Sequence, residues 1–260
     1  MEENREKEVM EAAIQAGHLL LENGAEISRV EETMERIFRY YGVESGSTFV
    51  LSNGIFATAG SSKESFFAKV EHIPVSGTHL NRVAAVNQLS REIEEGRYSP
   101  AEAAERLNAI RQMPGKTKTM QILASGCGSA AFCYLFGGSS GDSAAAFAAG
   151  VALYAYILYV SGPHFSKIIG NISGGSLVTI ICSLMYLSGA GEHLNYMVIG
   201  SIMPLVPGVP FTNAIRDIAD ISGSVRMLDA LLIFFCIAIG VGVGFSVIRW
   251  GTGGLVGWME

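Results

Sequence analysis

Apolar residues recur at helical spacing from Glu3 to Asn23, with Val9, Ala13, Ala16 and Leu20 on one stripe, and Asn23-Gly24 marks the end of that predicted helix. Ser28, with Glu31 three residues on, has the form of a capping box, so a second helix is expected over Arg29–Tyr40, with Gly42 just past it. Three β-like runs follow, Ser47–Leu51, Gly54–Ala59 and Phe66–Ile73, separated by the turns Ser52-Asn53-Gly54 and Gly60-Ser61-Ser62-Lys63. Helical spacing returns over His79–Glu95, which Gly96 closes. It returns once more after Ser99, where Pro100 at the first position and Glu102 three residues beyond the cap open a helix that runs to about Gln112. This order predicts a small α+β domain with an antiparallel sheet over residues 1–115.

From Thr119 the pattern changes to apolar segments joined by short loops. A mostly apolar stretch of about 20 residues can cross a bilayer as a helix. Five such stretches are expected, at Thr119–Gly137, Asp142–Ser161, Ile168–Leu187, Tyr196–Ile215 and Leu228–Ile248. The expected architecture is an α-helical integral membrane bundle of five transmembrane helices over residues 116–260, preceded by the small cytoplasmic α+β domain. Transport is therefore the first class of function to test.

Charge sharpens the division. Of 24 acids, 18 precede Lys116, against 12 of the 18 Lys and Arg, so the first part carries 12 − 18 = −6 and the rest 6 − 6 = 0. Lys116, Lys118, Lys167, Arg216 and Arg226 all fall at one set of loops, while Gly137–Asp142 and Ser188–Asn195 carry no Lys or Arg. Basic residues stay on the cytoplasmic side. The soluble domain is thus expected inside and the C-terminus outside, with Arg249 as the one dissenting charge. The acidic start, MEENREKEVMEAA, does not have the form of a secretory signal.

Candidate chemistry in residues 1–115 is thin. There is no GxSxG or HExxH motif, and Gly115-Lys116-Thr117 lacks both the Gly (Ile110 stands there) and the strand that a phosphate-binding loop requires. His72 and His79 flank a short loop and are candidate metal or ligand residues, with surface or helix-start roles as the alternative. Cys127, Cys133, Cys182 and Cys236 lie in apolar segments without a CxxC pair, which fits small hydrophobic packing residues. No cofactor or metal is expected, and without a basic cluster no nucleic acid is an expected partner.

The richest stretch is Met203–Arg226. Pro204, Pro207 and Pro210, with Gly208 among them, make a continuous helix improbable, because each proline lacks an N–H and its ring crowds the preceding turn. Broken helices inside membrane bundles often mark a substrate site, a bend without a ligand being the alternative. Asn213 and Asp217 share one helix face, and Arg216 and Asp220 share another. These eight residues are the candidate substrate-binding or transport site, with Asp217 and Asp220 as candidate coupling groups. Asp142, at the far side of the bundle, is expected to be a neutral control. Small residues four apart, such as Ala146 and Gly150 or Gly240 and Gly244, suit close helix packing within the chain or against a partner.

PLVPGVPFTNAIRD, the Gly-rich span after it, and the soluble stretches GAEISRVEETMERI, SNGIFAT and NRVAAVNQLSREIEEGRYSPAEAAERLNAI resemble the bacterial threonine/serine exporter family over nearly the whole chain. The resemblance implies a multi-pass protein of the bacterial cytoplasmic (inner) membrane. It also implies a split form whose other half is a second small membrane subunit, in a hetero- or homo-oligomer embedded in the lipid bilayer. The implied function is that of a subunit of a secondary, proton-gradient-driven exporter of threonine/serine-type amino acids or of small dicarboxylates such as succinate. The alternative is a membrane-anchored enzyme or sensor with its site in residues 1–115. No recognisable nucleophile and base stand there, so the expectation is that the chain is not an enzyme.

Overall fold

A computed structural model of the chain describes residues 2–43, 46–60, 66–73, 77–217 and 221–252. It divides into two units. One holds Met1–Gly115 together with Gly208–Leu228, and the other holds Lys116–Pro207 together with the chain from Asp229 on.

In the first unit, α1 (Glu2–Glu22) and α2 (Ile27–Tyr40) precede a sheet of β1 (Ser47–Leu51), β2 (Gly54–Gly60) and β3 (Phe66–His72), and α3 (Leu80–Glu94) and α4 (Pro100–Arg111) follow it. The sheet is antiparallel in the order β1-β2-β3. Val50 stands opposite Ile55 across the first pair of strands, so both point to the same face and both are buried. Leu19 and Leu20 of α1, Met34 and Ile37 of α2, Val86 of α3 and Leu107 of α4 close over that face as one cluster. Each such side chain contributes about 1.5–3 kcal/mol by leaving water.

The box at Ser99 forms as its sequence predicts: Ser99 N–H donates to Glu102 Oε2 at 2.8 Å, and Glu102 N–H donates to Ser99 Oγ. The one expected at Ser28 and Glu31 does not form. The helix begins earlier, at Ile27, whose side chain is buried, and Glu31 instead accepts from the Val50 N–H at 3.0 Å, tying α2 to β1. Ser61–Lys63 of the expected second turn lie outside the described residues.

The second unit contains α5 (Lys118–Leu135), α6 (Ser140–Tyr156), α8 (Lys167–Leu187) and α9 (Leu194–Ile202). At the end of α6 the helix widens into a π turn, Ile157–Ser161, and finishes in the single turn α7 (Gly162–His164). Gly162 N–H donates to the Ile157 carbonyl there, a spacing that accommodates the missing donor of Pro163. Beyond α9 come α10 (Gly208–Arg216) and the long α11 (Ile221–Gly251).

Small residues bring these helices together within the chain. A side chain at Gly150 of α6 would collide with Ser129 of α5, and one at Gly240 of α11 would collide with the Ile172 carbonyl of α8. Ser176 uses the second approach to donate to the Gly240 carbonyl at 2.9 Å. Cys133, Cys182 and Cys236 are buried, whereas Cys127 is exposed.

Among the described residues, three helices are long and apolar enough to cross a membrane: Ser140–Ser161, Lys167–Leu187 and Gly223–Gly251. The pair Leu194–Leu205 and Gly208–Arg216, bent by 66° at its break, makes a fourth if it counts as one span. The stretch expected as the first span is helical as α5, but Lys118, Gln121, Ser125 and Ser129 dilute its apolarity.

Candidate functional site

The proline-rich stretch departs from regular helix where the missing donors predict. Met203–Leu205, with Pro204 inside it, is a 3₁₀ turn, and Val206 is extended. Pro207 ends the break, and Gly208 opens α10. Pro210 does not extend the break. It sits in the first turn of α10, where the backbone N–H groups have no helical partner and a proline loses nothing. Leu205 lies against Gly174 of α8, a contact within the second unit.

The polar residues that follow converge on one target within the first unit, the turn between α1 and α2. Asn213 Nδ2 donates to the Gly24 carbonyl at 2.8 Å. Arg216 pairs with the Glu26 carboxylate. Arg226, in the first turns of α11, donates to the Ala25 carbonyl at 3.0 Å and to Asp217 Oδ2 at 3.1 Å. The same Asp217 oxygen accepts the Ile27 N–H at 3.3 Å. Asp217 therefore supplies the cap that α2 lacks locally, and its charge lies at the positive end of that helix.

Local backbone chemistry explains why this turn can be held. Gly24 adopts a φ of +83°, which L side chains rarely take up. The turn is anchored from its other side as well: buried Asn23 donates to the Leu19 carbonyl at 2.7 Å, and its own carbonyl accepts the His79 N–H at 3.2 Å, at the start of α3. Five consecutive residues, Asn23–Ile27, are thus fixed between α3 on one side and the α10–α11 corner on the other.

Asp217 is only 4% exposed and Arg226 is largely buried with it, whereas Arg216 is exposed and its pair with Glu26 lies at the rim. Of the residues expected to form a site, Asn213, Arg216 and Asp217 are brought together by this clasp. Pro204, Pro207, Gly208 and Pro210 form the break and the helix start that precede it. Asp220 lies outside the described residues. Glu26 and the carbonyls of Gly24 and Ala25 have no signal in the sequence, because their partners lie about 190 to 201 positions away.

Elsewhere, the expectation for Asp142 needs correction. It is no neutral position: it is fully buried and holds four donors. His72 lies in β3, and His79 precedes α3 with its N–H on Asn23. Among the described residues no group of three or more His, Cys, Asp or Glu could hold a metal ion. An open groove of about 460 Å³ runs along α8 past Ile169, Ser173 and Leu177 and is almost wholly apolar.

The family model described as a threonine/serine exporter, ThrE, matches residues 11–248. The chain is 26% identical over 257 residues to the "Probable succinate transporter subunit YjjP" of Klebsiella aerogenes, a match covering 97% of this chain and 98% of that protein. The protein of the same name from Escherichia coli K12 is 25% identical, with 98% of this chain and 100% of that protein covered. The "Threonine/serine exporter" of Corynebacterium glutamicum is 22% identical over 92% of this chain but only 51% of its own length, so the chain spans about half of that relative. No solved structure matches the chain. These names are those of transporters and not of enzymes, and the apolar helices are those of a membrane protein. With a family model matched from residue 11 to residue 248, the chain belongs to the threonine/serine exporter family.

Proposed function

We propose that this chain is one subunit of a secondary exporter of small hydrophilic metabolites, driven by the proton gradient across the bacterial cytoplasmic membrane. The substrate class is a threonine/serine-type amino acid or a small dicarboxylate such as succinate. Matches along almost their whole length to relatives named as succinate transporter subunits support a transport role and a further subunit, and the name of the family supports export. In this reading residues 1–115 form a cytoplasmic domain and residues 116–260 a membrane module, with α5 joining the three long helices and the bent pair as a fifth span. Helices of this kind can count as spans despite polar positions when those positions face other helices. Ser125 and Ser129 do so, Ser125 donating to the Gly150 carbonyl of α6 at 2.9 Å.

The observation that carries the mechanism is the broken helix with its clasped second half. Pro204 and Pro207 interrupt the helix, and Gly208 and Pro210 restart it, so the chain between the two halves is irregular backbone of the kind beside which a polar substrate can be held. Asn213, Arg216 and Asp217 bind the cytoplasmic turn, and so fix where the half-helix α10 begins and ends. Asp217 and Asp220 remain the carboxylates of the proposed path on the cytoplasmic side.

The test is export from cells lacking this chain, complemented with it alone, with the partner subunit alone and with both, over a panel including succinate, threonine and serine. Export restored only by the pair supports the reading, and an unchanged panel overturns it. Reporter fusions in the loops at 136–139 and 162–166 test the orientation. The first is expected to be active outside and the second inside.

A further inference from the structure

The two edges of the sheet in the first unit differ. At β1, the Val50 N–H points away from β2 and is taken by Glu31 of α2. At β3 the edge is open. Ile73 N–H donates to the Asn53 carbonyl at 2.8 Å, which sets the alternation of the antiparallel ladder. Lys69 and Glu71 therefore turn their backbone groups toward β2, and Ala68, Val70 and His72 turn theirs outward. Among the described residues, no hydrogen bond reaches these outward N–H and carbonyl groups. The register of β3 on β2 runs unbroken from Phe66 to His72, with neither a bulge nor a proline to blunt the edge.

The side chains continue the contrast. Phe49, Phe56 and Val70 stand opposite one another across the three strands, on the face away from the helices. They are exposed by 58%, 41% and 66%, and the two rings lie 6.1 Å apart. This apolar row ends at the open edge. On the helix side, Lys69 and Glu71 stand two residues apart, with their charged groups at 3.9 Å and both side chains partly exposed. A lysine on an edge strand ordinarily repels a second copy. With Glu71 beside it, the same strand becomes its own complement.

We propose that β3 pairs antiparallel with β3 of a second copy of this chain, centred on Val70, and joins two three-stranded sheets into one. In this register Val70 faces Val70 of the second copy, and Ala68 faces His72 of the second copy. Each of these residues donates once and accepts once across the joint, which uses the outward groups and no others. Lys69 then faces Glu71 of the second copy, and Glu71 faces its Lys69. These are the closely spaced kind of pair, in which opposite charges stabilise and like charges destabilise. Other registers that use the same outward groups lack this match. Centring on Ala68 sets Lys69 against Phe67, and centring on His72 sets Glu71 against Ile73. On the other face, the two apolar rows meet at Val70 and become one. The occupant is a second copy because the charges and the hydrogen bonds of this edge both answer themselves. The inference goes beyond the exporter reading and does not depend on it.

Cross-linking of the full chain in membranes tests the register. Cys127→Ser removes the exposed native thiol, and a new pair of cysteines then forms a disulfide only where the Cα atoms lie within about 7 Å. Val70→Cys is expected to give at least about fivefold more disulfide dimer than Ala68→Cys or Lys69→Cys, whose copies lie further apart in this register. Equal yields at the three positions, or none at Val70, overturn the proposal. An adduct of Val70→Cys with a different membrane protein also overturns it, and assigns the edge to that partner. Charge exchange, read by co-purification of two differently tagged copies, tests the pairing. Lys69→Glu alone and Glu71→Lys alone each set like charges opposite one another, and each is expected to lose most of the co-purification. Expressed together, the two variants set opposite charges at both positions and are expected to recover it to within about twofold of the wild type. A wild type whose copies do not co-purify, or a mixed pair no better than either variant alone, overturns the proposal. Glu71 also lies 2.8 Å from His18 Nδ1, so Val70→Pro serves as a second variant that leaves this contact in place. It removes an outward N–H at an edge position, where proline is tolerated, and is expected to abolish the dimer at a normal level in the membrane. A dimer that survives Val70→Pro overturns the proposal.

Discussion

Arg226 and Asp217 meet at 3.1 Å, and each also holds the turn between α1 and α2, the arginine through the Ala25 carbonyl and the aspartate through the Ile27 N–H. An ion pair shared in this way is more than a local contact. Removing either partner leaves a largely buried charge unpaired and also releases a backbone group of the turn. Breaking such a pair typically costs about 3–5 kcal/mol, whereas replacing both partners with apolar residues is often close to neutral.

Asp217→Asn and Arg226→Met are therefore each expected to lower the thermal stability of the full chain in detergent. The double variant should lose clearly less than the sum of the two, with a coupling of about 1–3 kcal/mol. Additive losses would mean that the pair does not act as a unit. Because Asp217 also caps α2, its substitution should reduce both the amount of folded protein and export. An Asp217→Asn protein at normal level and normal stability would contradict the clasp.

The Glu26–Arg216 pair tests the same joint at its exposed rim. A pair with an exposed partner contributes about 0–1 kcal/mol, so Arg216→Glu should change stability little, whereas Glu26→Arg, at a side chain only 16% exposed, should lower it. If the position of α10 governs export, each single variant should reduce the export rate, and Glu26→Arg with Arg216→Glu together should recover it. Equal export by all four proteins would show that this contact is dispensable.

Asp142→Asn is expected to be damaging. Four donors face the two carboxylate oxygens, and an amide turns an NH₂ toward some of them. An unmet donor of this kind costs about 1–3 kcal/mol, so the variant should show a lower unfolding midpoint and a lower level in the membrane. A normal midpoint would mean that the loop finds other acceptors.

Tyr41 gives the first unit an alkaline limit. Its hydroxyl donates to the Tyr98 carbonyl at 2.9 Å, and burial, with smaller contributions from Tyr40 and Glu102, pushes its pKa up to about 12. A raised pKa means that folding favours the neutral phenol. That stabilisation is fully present below the ordinary tyrosine value of about 10 and is lost as the pH climbs toward about 12. Tyr41→Phe should start about 0.5–1.5 kcal/mol less stable and lose less over this interval, as read by denaturant unfolding followed through the pH series.

The elements that depend on near neighbours were legible from residue types alone. The run Ser47–Leu51 is strand as predicted, because β-branched and aromatic residues between turn formers leave few alternatives. The Ser99–Glu102 box needs only three residues of chain. What stayed hidden depends on distant partners. Glu31 has the right spacing from Ser28, yet the Val50 N–H and a carboxylate 190 residues downstream displace that local pairing. The three prolines foretell the break but not where it stops, since Pro210 costs nothing once α10 restarts at Gly208. Asp142 stands at the start of an expected span, and nothing near it in the sequence shows that the segment 50 and 51 residues away folds onto it.

The carboxylate that starts α2 has a consequence for synthesis. Ribosomes deliver residues 1–115 long before Asp217, so α2 must wait with a frayed first turn while most of the membrane helices are being made. The amino-terminal fold reaches its finished state only when the corner before the last span arrives and closes on Asn23–Ile27. A chain that stalls or inserts wrongly before that point keeps an open turn, which proteases can recognise. The same geometry warns against dissecting the protein at residue 115. A fragment cut there would retain its sheet and its helices but carry an unfinished edge, and ligand screens on it would sample a surface that the whole protein never exposes.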